Sequence, residues 1–254
     1  MATRNDRGTV SLWETATGNR LTAFYRQSRD LAFVAGGDIL ATSDLHSLGA
    51  DQATRVRLWD VRTGRERATV PIARPTGRIL VSPDGRLIAI GGAGVRLCDA
   101  ATGQENVWLG KGTPSTAAPL AFSADGRVLV WTQFVEPMRV WDVTARREIV
   151  RLKTDDNMAA LSPDGRTLST CESLFSAPWR GRASGAIRLW DLPSGREKAS
   201  LVGHKSPIIG MLFSPDGKTL VSYEKDEAIA RDVSNGRELD RTLGDFKVIV
   251  RDLA

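Results

Sequence analysis

The segment 185–196 reads Gly-Ala-Ile-Arg-Leu-Trp-Asp-Leu-Pro-Ser-Gly-Arg. Ile187 and Leu189 alternate with Arg188 and Trp190, so the two pairs would point to opposite sides of a strand. Alternation with a period of two predicts a β-strand. The Pro-Ser-Gly that follows the strand is typical of a tight turn. A second strand is predicted over residues 197–201, so the segment predicts a β-hairpin.

The same hairpin pattern recurs along the chain. The residue aligned with the Asp of the Trp-Asp pair is, in turn, Glu14, Asp60, Asp99, Asp142, Asp191 and Asp232, in steps of 39 to 49 residues. A period near 40–45 residues with Trp-Asp closing a strand is the signature of a β-propeller blade. Over essentially its whole length the chain resembles the WD-repeat β-propeller family. The resemblance implies an all-β fold.

The resemblance further implies about six four-stranded blades in a single domain over residues 1–254. Five blades are complete in the sequence. For the sixth, strands at residues 1–3, 10–13 and 20–24 would combine with a strand at residues 247–253 from the other chain end. Such a composite blade would close the ring and remove exposed sheet edges. The alternative is that the chain is a piece of a longer propeller, cut at both ends.

Four tetrapeptides predict the turns between the first two strands of a blade. They read Ser-Pro-Asp-Gly at 82–85, 162–165 and 214–217 and Ser-Ala-Asp-Gly at 123–126. Pro presets φ at the second turn position and Gly accepts a positive φ, so these motifs are structural.

Composition argues against several classes of function. The 35 basic and 30 acidic residues give a net charge of +5, with many arginines at turn ends and no basic run, so we expect no nucleic-acid binding. The sequence contains no run of about 18 apolar residues, so no membrane span is predicted. Cys98 and Cys171 form no disulfide framework, which favours a reducing, cytoplasmic setting.

No catalytic or cofactor motif is recognisable. The two histidines, His46 and His204, lie far apart, and no His, Cys or Asp cluster has metal-ligand spacing. A serine elbow, a phosphate loop and a dinucleotide fingerprint are all missing from the sequence. We therefore expect no catalytic residues, no metal ligands and no cofactor.

The WD-repeat resemblance implies a buried hydrogen-bond relay of His, Ser or Thr, Asp and Trp. Carried over to the last repeat, its members would be His204, Ser222 and Asp226, with Arg231 at the Trp position. This relay is incomplete, and buried polar groups need all their partners.

Other repeats keep the Trp but not the His. The resemblance implies pairs of a strand Trp with a Thr, namely Trp13 with Thr3, Trp59 with Thr42 and Trp190 with Thr170. In the fourth repeat Trp141 meets Trp131 at the Ser or Thr position, so that pair is expected to be missing.

Long loops occur on one face only of the expected propeller. They span residues 43–55, 110–119, 133–137 and 172–186, whereas the turns expected on the opposite face are short. Loops that lengthen on one face indicate a functional surface. The predicted partner-binding residues are Phe175, Trp179, Arg180, Arg182, Phe134, Glu136 and His46.

These features favour a monomeric, non-catalytic scaffold that binds protein partners through its top-face loops. The alternative is a sensor or regulatory segment of a larger bacterial signalling protein such as a Ser/Thr kinase. A propeller hydrolase would need ligands converging on a central channel, where the inner strands supply mostly apolar residues such as Leu31 and Leu120.

Overall fold

A computed structural model of the chain describes residues 1–4, 9–24, 28–44, 54–72, 78–110, 116–133, 136–172, 185–192 and 194–243. Within these ranges the regular structure is β-strand, apart from a one-turn 3-10 helix at Ala35–Gly37. Among the described residues, no helix is long and apolar enough to cross a membrane. The chain divides into two compact units, residues 1–119 and 120–254.

The first unit contains three antiparallel sheets, which we call blades 1 to 3. Blade 1 consists of β1 (Ala2–Arg4), β2 (Val10–Trp13) and β3 (Arg20–Phe24). Blade 2 consists of β4 (Ser28–Phe33), β5 (Ile39–Asp44), β6 (Thr54–Asp60) and β7 (Glu66–Ile72). Blade 3 consists of β8 (Ile79–Val81), β9 (Leu87–Gly92), β10 (Gly94–Asp99) and β11 (Glu105–Leu109).

The second unit contains blades 4 to 6, except for the first three residues of β12, and each blade has four strands in sequential order. Blade 4 consists of β12 (Ala117–Phe122), β13 (Val128–Gln133), β14 (Glu136–Asp142) and β15 (Arg147–Leu152). Blade 5 consists of β16 (Met158–Leu161), β17 (Thr167–Cys171), β18 (Ile187–Asp191) and β19 (Arg196–Leu201). Blade 6 consists of β20 (Gly210–Phe213), β21 (Thr219–Tyr223), β22 (Glu227–Asp232) and β23 (Glu238–Leu243).

All six blades share one irregularity at the Trp-Asp position. The register between the last two strands of each blade shifts at Leu12/Trp13, Leu58/Trp59, Leu97/Cys98, Val140/Trp141, Leu189/Trp190 and Ala230/Arg231. A β-bulge inserts one extra residue and re-aims the side chains around it. The repeat seen in the sequence is therefore a repeat of backbone geometry, including the blades that lack the Trp.

The predicted Ser-x-Asp-Gly turns form the same hydrogen bonds each time. The Ser82 hydroxyl donates to Asp84 Oδ1 at 2.6 Å and accepts from the Leu87 N–H at 3.0 Å. The 2.6 Å Ser–Asp bond recurs at Ser123–Asp125, Ser162–Asp164 and Ser214–Asp216. The structural role predicted for these motifs is confirmed.

Apolar residues of neighbouring blades pack together within each unit. In the first unit one cluster joins blades 2 and 3 through residues such as Val56 and Ile88, and another joins Leu12 to Leu40. In the second unit the clusters include Val140 with Leu168, and Leu189 with Leu220, Ile187 and Phe213. Within each unit, neighbouring blades thus bury apolar faces against each other, as stacked repeats require.

The all-β fold class of about six blade-like sheets is confirmed. Blade 1 has three strands among the described residues. The strand predicted at residues 247–253, and with it the composite blade, lies outside the described residues. Ring closure and a single domain over residues 1–254 therefore stay predictions.

Candidate functional site

Of the predicted partner-binding residues, the structure describes Glu136 alone. Its side chain is exposed at the start of β14. The other six, Phe175, Trp179, Arg180, Arg182, Phe134 and His46, lie outside the described residues. The binding role assigned to this set stays a prediction.

Glu136 lines a cleft of about 950 Å³ in the second unit. Its walls come from blades 4 and 5 and from the segment that connects them. The lining residues are Glu136, Pro137, Lys153, Thr154, Asp155, Asp156, Glu172, Arg188, Trp190 and Glu197. We call this feature the acidic cleft. Of the lining residues, the sequence pattern placed Glu136, Pro137 and Glu172 in long loops, so most of the lining was not predicted.

The lining of the acidic cleft carries an excess of negative charge. Five carboxylates face two cations, Lys153 and Arg188, which leaves a net charge of −3. Glu136, Asp155 and Glu197 have exposed side chains, whereas Asp156 is buried. A concave surface of one charge sign concentrates ligands of the opposite sign.

A hydrogen-bond network fixes the base of the acidic cleft. Trp190 Nε1 donates to Thr170 Oγ1 at 2.8 Å, and the Thr170 hydroxyl donates to Asp156 Oδ2. Arg188 Nη1 donates to Thr154 Oγ1 at 2.8 Å and lies 3.3 Å from Asp156 Oδ2. Asp156 thus contacts the Thr of the Trp–Thr pair in a blade whose sequence lacks the His of the relay that the resemblance implies. The buried carboxylate is hydrogen-bonded and paired, as a buried charge must be.

The predicted Trp–Thr pairs are confirmed. The indole N–H donates to the Thr hydroxyl in Trp13–Thr3, Trp59–Thr42 and Trp190–Thr170, at 2.7, 2.8 and 2.8 Å. In blade 4 the buried Nε1 atoms of Trp131 and Trp141 have no hydrogen-bond partner among the described residues, as expected from the missing hydroxyl. Arg139 instead stacks over the Trp131 ring, 5.1 Å from its centroid.

A second polar cluster surrounds His204, which precedes blade 6. His204 Nε2 lies 2.7 Å from Ser222 Oγ, and Arg231 Nη1 donates to the same Oγ at 3.4 Å. The prediction that Asp226 is the third member of the buried relay is wrong, because the Asp226 side chain is exposed. Glu224 takes that place, with its Oε2 3.3 Å from His204 Nδ1. Asp226 lies in the turn between β21 and β22, whereas Glu224 directly follows β21 and its carboxylate reaches His204.

Glu227 completes the cluster on its other side. Arg241 Nη1 lies 2.6 Å from Glu227 Oε1, and Arg241 Nη2 lies 2.7 Å from Glu238 Oε2. Glu224 Oε2 accepts a hydrogen bond from the Ser206 N–H at 2.8 Å. The sequence analysis expected no metal ligands, yet His204, Glu224 and Glu227 bring ligand atoms within 4.8 Å of one another. No short sequence motif links these three residues. The pairing of β21 with β22 and the nearby position of the His204 segment bring them together.

Burial shifts the protonation of several groups. Burial lowers the pKa of His204 and outweighs the opposing effect of Glu224, with Arg231 lowering it further. Burial also raises the pKa of the Cys98 thiol to about 11 and that of Cys171 to about 12. Because the thiolate is the nucleophile, neither cysteine is activated for chemistry at neutral pH.

One family model matches part of the chain. The model described as "WD domain, G-beta repeat" matches residues 195–229, which run from the turn of blade 5 to β22 of blade 6. The matched stretch includes His204, Ser222 and Glu224.

Known proteins from fungi, bacteria and plants are similar to the chain. Nuclear distribution protein nudF of Aspergillus niger is 28% identical, over 96% of this chain and 58% of that protein. An uncharacterized WD repeat-containing protein of Synechocystis is 29% identical, over 56% of this chain and 39% of that protein. Cell division cycle 20.1, cofactor of APC complex, of Arabidopsis thaliana is 25% identical, over 87% and 48%. The chain thus spans about half the length of these relatives.

Proposed function

We propose that this chain, a WD-repeat β-propeller protein, is a non-catalytic scaffold that binds a protein partner in its acidic cleft. The similarity to WD-repeat proteins supports a role of this chain in protein interaction. None of the names of the three relatives given above denotes a catalytic activity. The observation that carries the proposal is the cleft itself, with its net charge of −3 held on a hydrogen-bonded base.

The acidic cleft suits an extended partner segment that carries Lys or Arg. Its exposed carboxylates, including Glu136 and Glu197, offer acceptors for cationic side chains. Complementary charge speeds association and selects the partner more than it adds raw affinity. Asp156 is already fixed by Thr170 and by Arg188, so binding costs little further ordering there.

The top-face loops contribute to the same surface in this proposal. Residues 153–156 connect blades 4 and 5, and Glu172 is the first residue of the loop that the sequence predicts over residues 172–186. That loop carries Phe175 and Trp179 in the sequence. Large aromatic side chains are the residues that most often dominate interface energetics. We therefore propose that charged contacts at the cleft orient the partner and that the two aromatic residues anchor it.

A peptide selection tests the function. The full chain is immobilised and used to select from a random dodecapeptide library, and the selected sequences are compared with the unselected pool. We expect enrichment of Lys and Arg in the selected peptides, and loss of that enrichment when Glu136→Lys and Glu197→Lys are combined. The matched control is Asp240→Lys, which reverses an exposed charge on β23. Selection of acidic or uncharged peptides, or equal selection by the double variant, would refute the proposal.

We further propose that the protein is a monomer in a reducing, cytoplasmic setting. Both cysteines are buried and free, which supports such a setting. The alternative, a regulatory segment of a larger signalling protein, would use the same surface. No observation on the described residues favours that alternative over a scaffold.

A further inference from the structure

Three potential ligands converge beside blade 6. His204, Glu224 and Glu227 are all buried, and their ligand atoms lie within 4.8 Å of one another. The His204 side chain has no exposed surface, and those of Glu224 and Glu227 are 6% and 5% exposed. Two carboxylates and an imidazole thus converge in a small volume, with Arg241 paired to Glu227 and Arg231 in contact with Ser222.

Two atoms of this pocket have no hydrogen-bond partner. They are His204 Nδ1 and Glu227 Oε2, and both are fully buried. Glu224 Oε2 is 3.3 Å from His204 Nδ1, but the contact does not have hydrogen-bond geometry. Buried polar groups without a partner cost folding free energy and are rare in native proteins. A single bound cation would satisfy both atoms at once.

The surroundings of His204 orient its ring for such a role. His204 Nε2 lies 2.7 Å from Ser222 Oγ, and this contact leaves Nδ1 as the ring nitrogen that faces Glu224. Metal-binding histidines commonly hold their second ring nitrogen against a fixed polar partner.

The distance between the first two ligands fits a tetrahedral ion. Two ligand atoms each 2.0–2.1 Å from a tetrahedral metal are separated by roughly 3.3–3.4 Å. The separation of His204 Nδ1 and Glu224 Oε2 is 3.3 Å. Arg241 already pairs with Glu227 Oε1, which leaves Oε2 as the third ligand atom.

We propose that His204, Glu224 and Glu227 bind one divalent transition-metal ion, with Ser222 as a positioning residue. The imidazole ligand favours Zn²⁺ over Mg²⁺ and Ca²⁺, which prefer oxygen ligands alone. A solvent molecule would supply the fourth ligand of a tetrahedral site. The inference stands on blade 6 and is independent of the partner proposed for the acidic cleft.

Metal titration of the full chain tests the site. The protein is treated with EDTA, dialysed and titrated with ZnCl₂ by calorimetry, with MgCl₂ as the comparison. We expect one Zn²⁺ per chain and a rise in Tm of roughly 5–10 °C at a free Zn²⁺ concentration a hundred times Kd. MgCl₂ is expected to leave Tm unchanged. A stoichiometry near zero for the folded wild-type chain would overturn the proposal.

Variants locate the metal. His204→Gln and Glu227→Gln should abolish the heat of Zn²⁺ binding, and Ser222→Ala should weaken binding about 10- to 100-fold. The matched control is Asp226→Asn, an exposed acidic residue of the same turn, which should bind as the wild type does. Zn²⁺ binding that persists in folded His204→Gln would overturn the proposal.

A measurement on the wild-type chain covers variants that fail to fold. The chain contains two histidines, so ¹⁵N-histidine labelling gives a simple spectrum. We expect the His204 Nδ1 resonance of the EDTA-treated protein to shift when Zn²⁺ is added, and any proton attached to Nδ1 to be lost. A protonated Nδ1 that does not respond to Zn²⁺ would show that a proton, rather than a metal, bridges His204 and Glu224.

Discussion

The Thr170 hydroxyl donates a hydrogen bond to the Asp156 carboxylate and accepts one from Trp190 Nε1. One hydroxyl thus links the Trp-Asp strand of blade 5 to the base of the acidic cleft. Asp156 is buried, and Arg188 lies 3.3 Å from its Oδ2. The proposed binding surface therefore rests on the same contacts that hold the blade together.

Thr170→Val tests this link. Valine keeps the shape of threonine but removes the hydroxyl, which leaves Trp190 Nε1 without a partner and Asp156 Oδ2 with Arg188 alone. We expect the free energy of unfolding to fall by about 1–3 kcal/mol, measured by urea denaturation. Thr3→Val is the matched control, because its bond to Trp13 is exposed and water can replace it. An equal loss in both variants would contradict the role of burial.

The turn that ends at Gly195 tests the contact between blades 4 and 5. Gly195 has φ of 68°, and a Cβ at this position would lie 2.5 Å from Val150 Cγ2. Gly195→Ala therefore combines backbone strain of about 1–2 kcal/mol with overpacking of about 1–3 kcal/mol. Gly18→Ala is the matched control, since Gly18 has φ of 71° with no atom near the added Cβ. Equal destabilisation of the two variants, measured from Tm, would contradict the close approach.

Local sequence signals predicted much of the fold. The Trp-Asp strand endings, the Ser-x-Asp-Gly turns and the apolar alternation each act within a few residues, and the blades follow from their repetition. The family resemblance implied the Trp190–Thr170 pair, and the same two positions carry a bonded Trp and Thr in blades 1 and 2. Arg231 shows the strength of the pattern, since the bulge forms there without the Trp.

The candidate sites were harder to predict. Asp156 lies in a connecting segment whose path no short motif encodes, so its bond to Thr170 could not be predicted from the sequence. Glu224 was missed because Asp226 matched the family pattern better in the sequence, although its side chain is exposed. Glu227 contacts Arg241 across two strands, and that pairing depends on sheet register.

Acid should weaken the Ser-x-Asp-Gly turns. The Ser82 hydroxyl and the Arg86 N–H hold the pKa of Asp84 below its ordinary value, with the Arg86 guanidinium 3.9 Å away adding to the effect. A lowered pKa means that the folded state stabilises the ionised carboxylate relative to the unfolded state. The resulting stability is complete above the unfolded pKa of about 3.9 and is lost as the pH falls through the lower folded value.

The matching measurement is Tm between pH 6 and pH 2.5. We expect Asp84→Asn to have a lower Tm than the wild type at pH 6. Its Tm should then fall by less than that of the wild type between pH 6 and pH 2.5. Asp226→Asn, an exposed aspartate outside these turns, is the control. An acid dependence as steep in Asp84→Asn as in the control would contradict this prediction.

The two thiols should be unreactive in the folded protein. Burial raises the pKa of Cys98 to about 11 and that of Cys171 to about 12, so almost no thiolate exists at pH 8. We expect Ellman's reagent to label two thiols per chain in denaturant and very few within minutes under native conditions. Rapid native labelling that survives in Cys171→Ser would show that Cys98 is accessible.

The affinity of a selected basic peptide tests the scaffold account most directly. Calorimetry on the full chain compares the wild type with Glu136→Lys and with the control Asp240→Lys, at low and at high salt. We predict that Glu136→Lys weakens Kd about 10-fold, equivalent to about 1.4 kcal/mol, and that salt reduces this difference. Asp240→Lys should bind as the wild type does. Equal affinity for all three proteins at low salt would contradict binding in the acidic cleft.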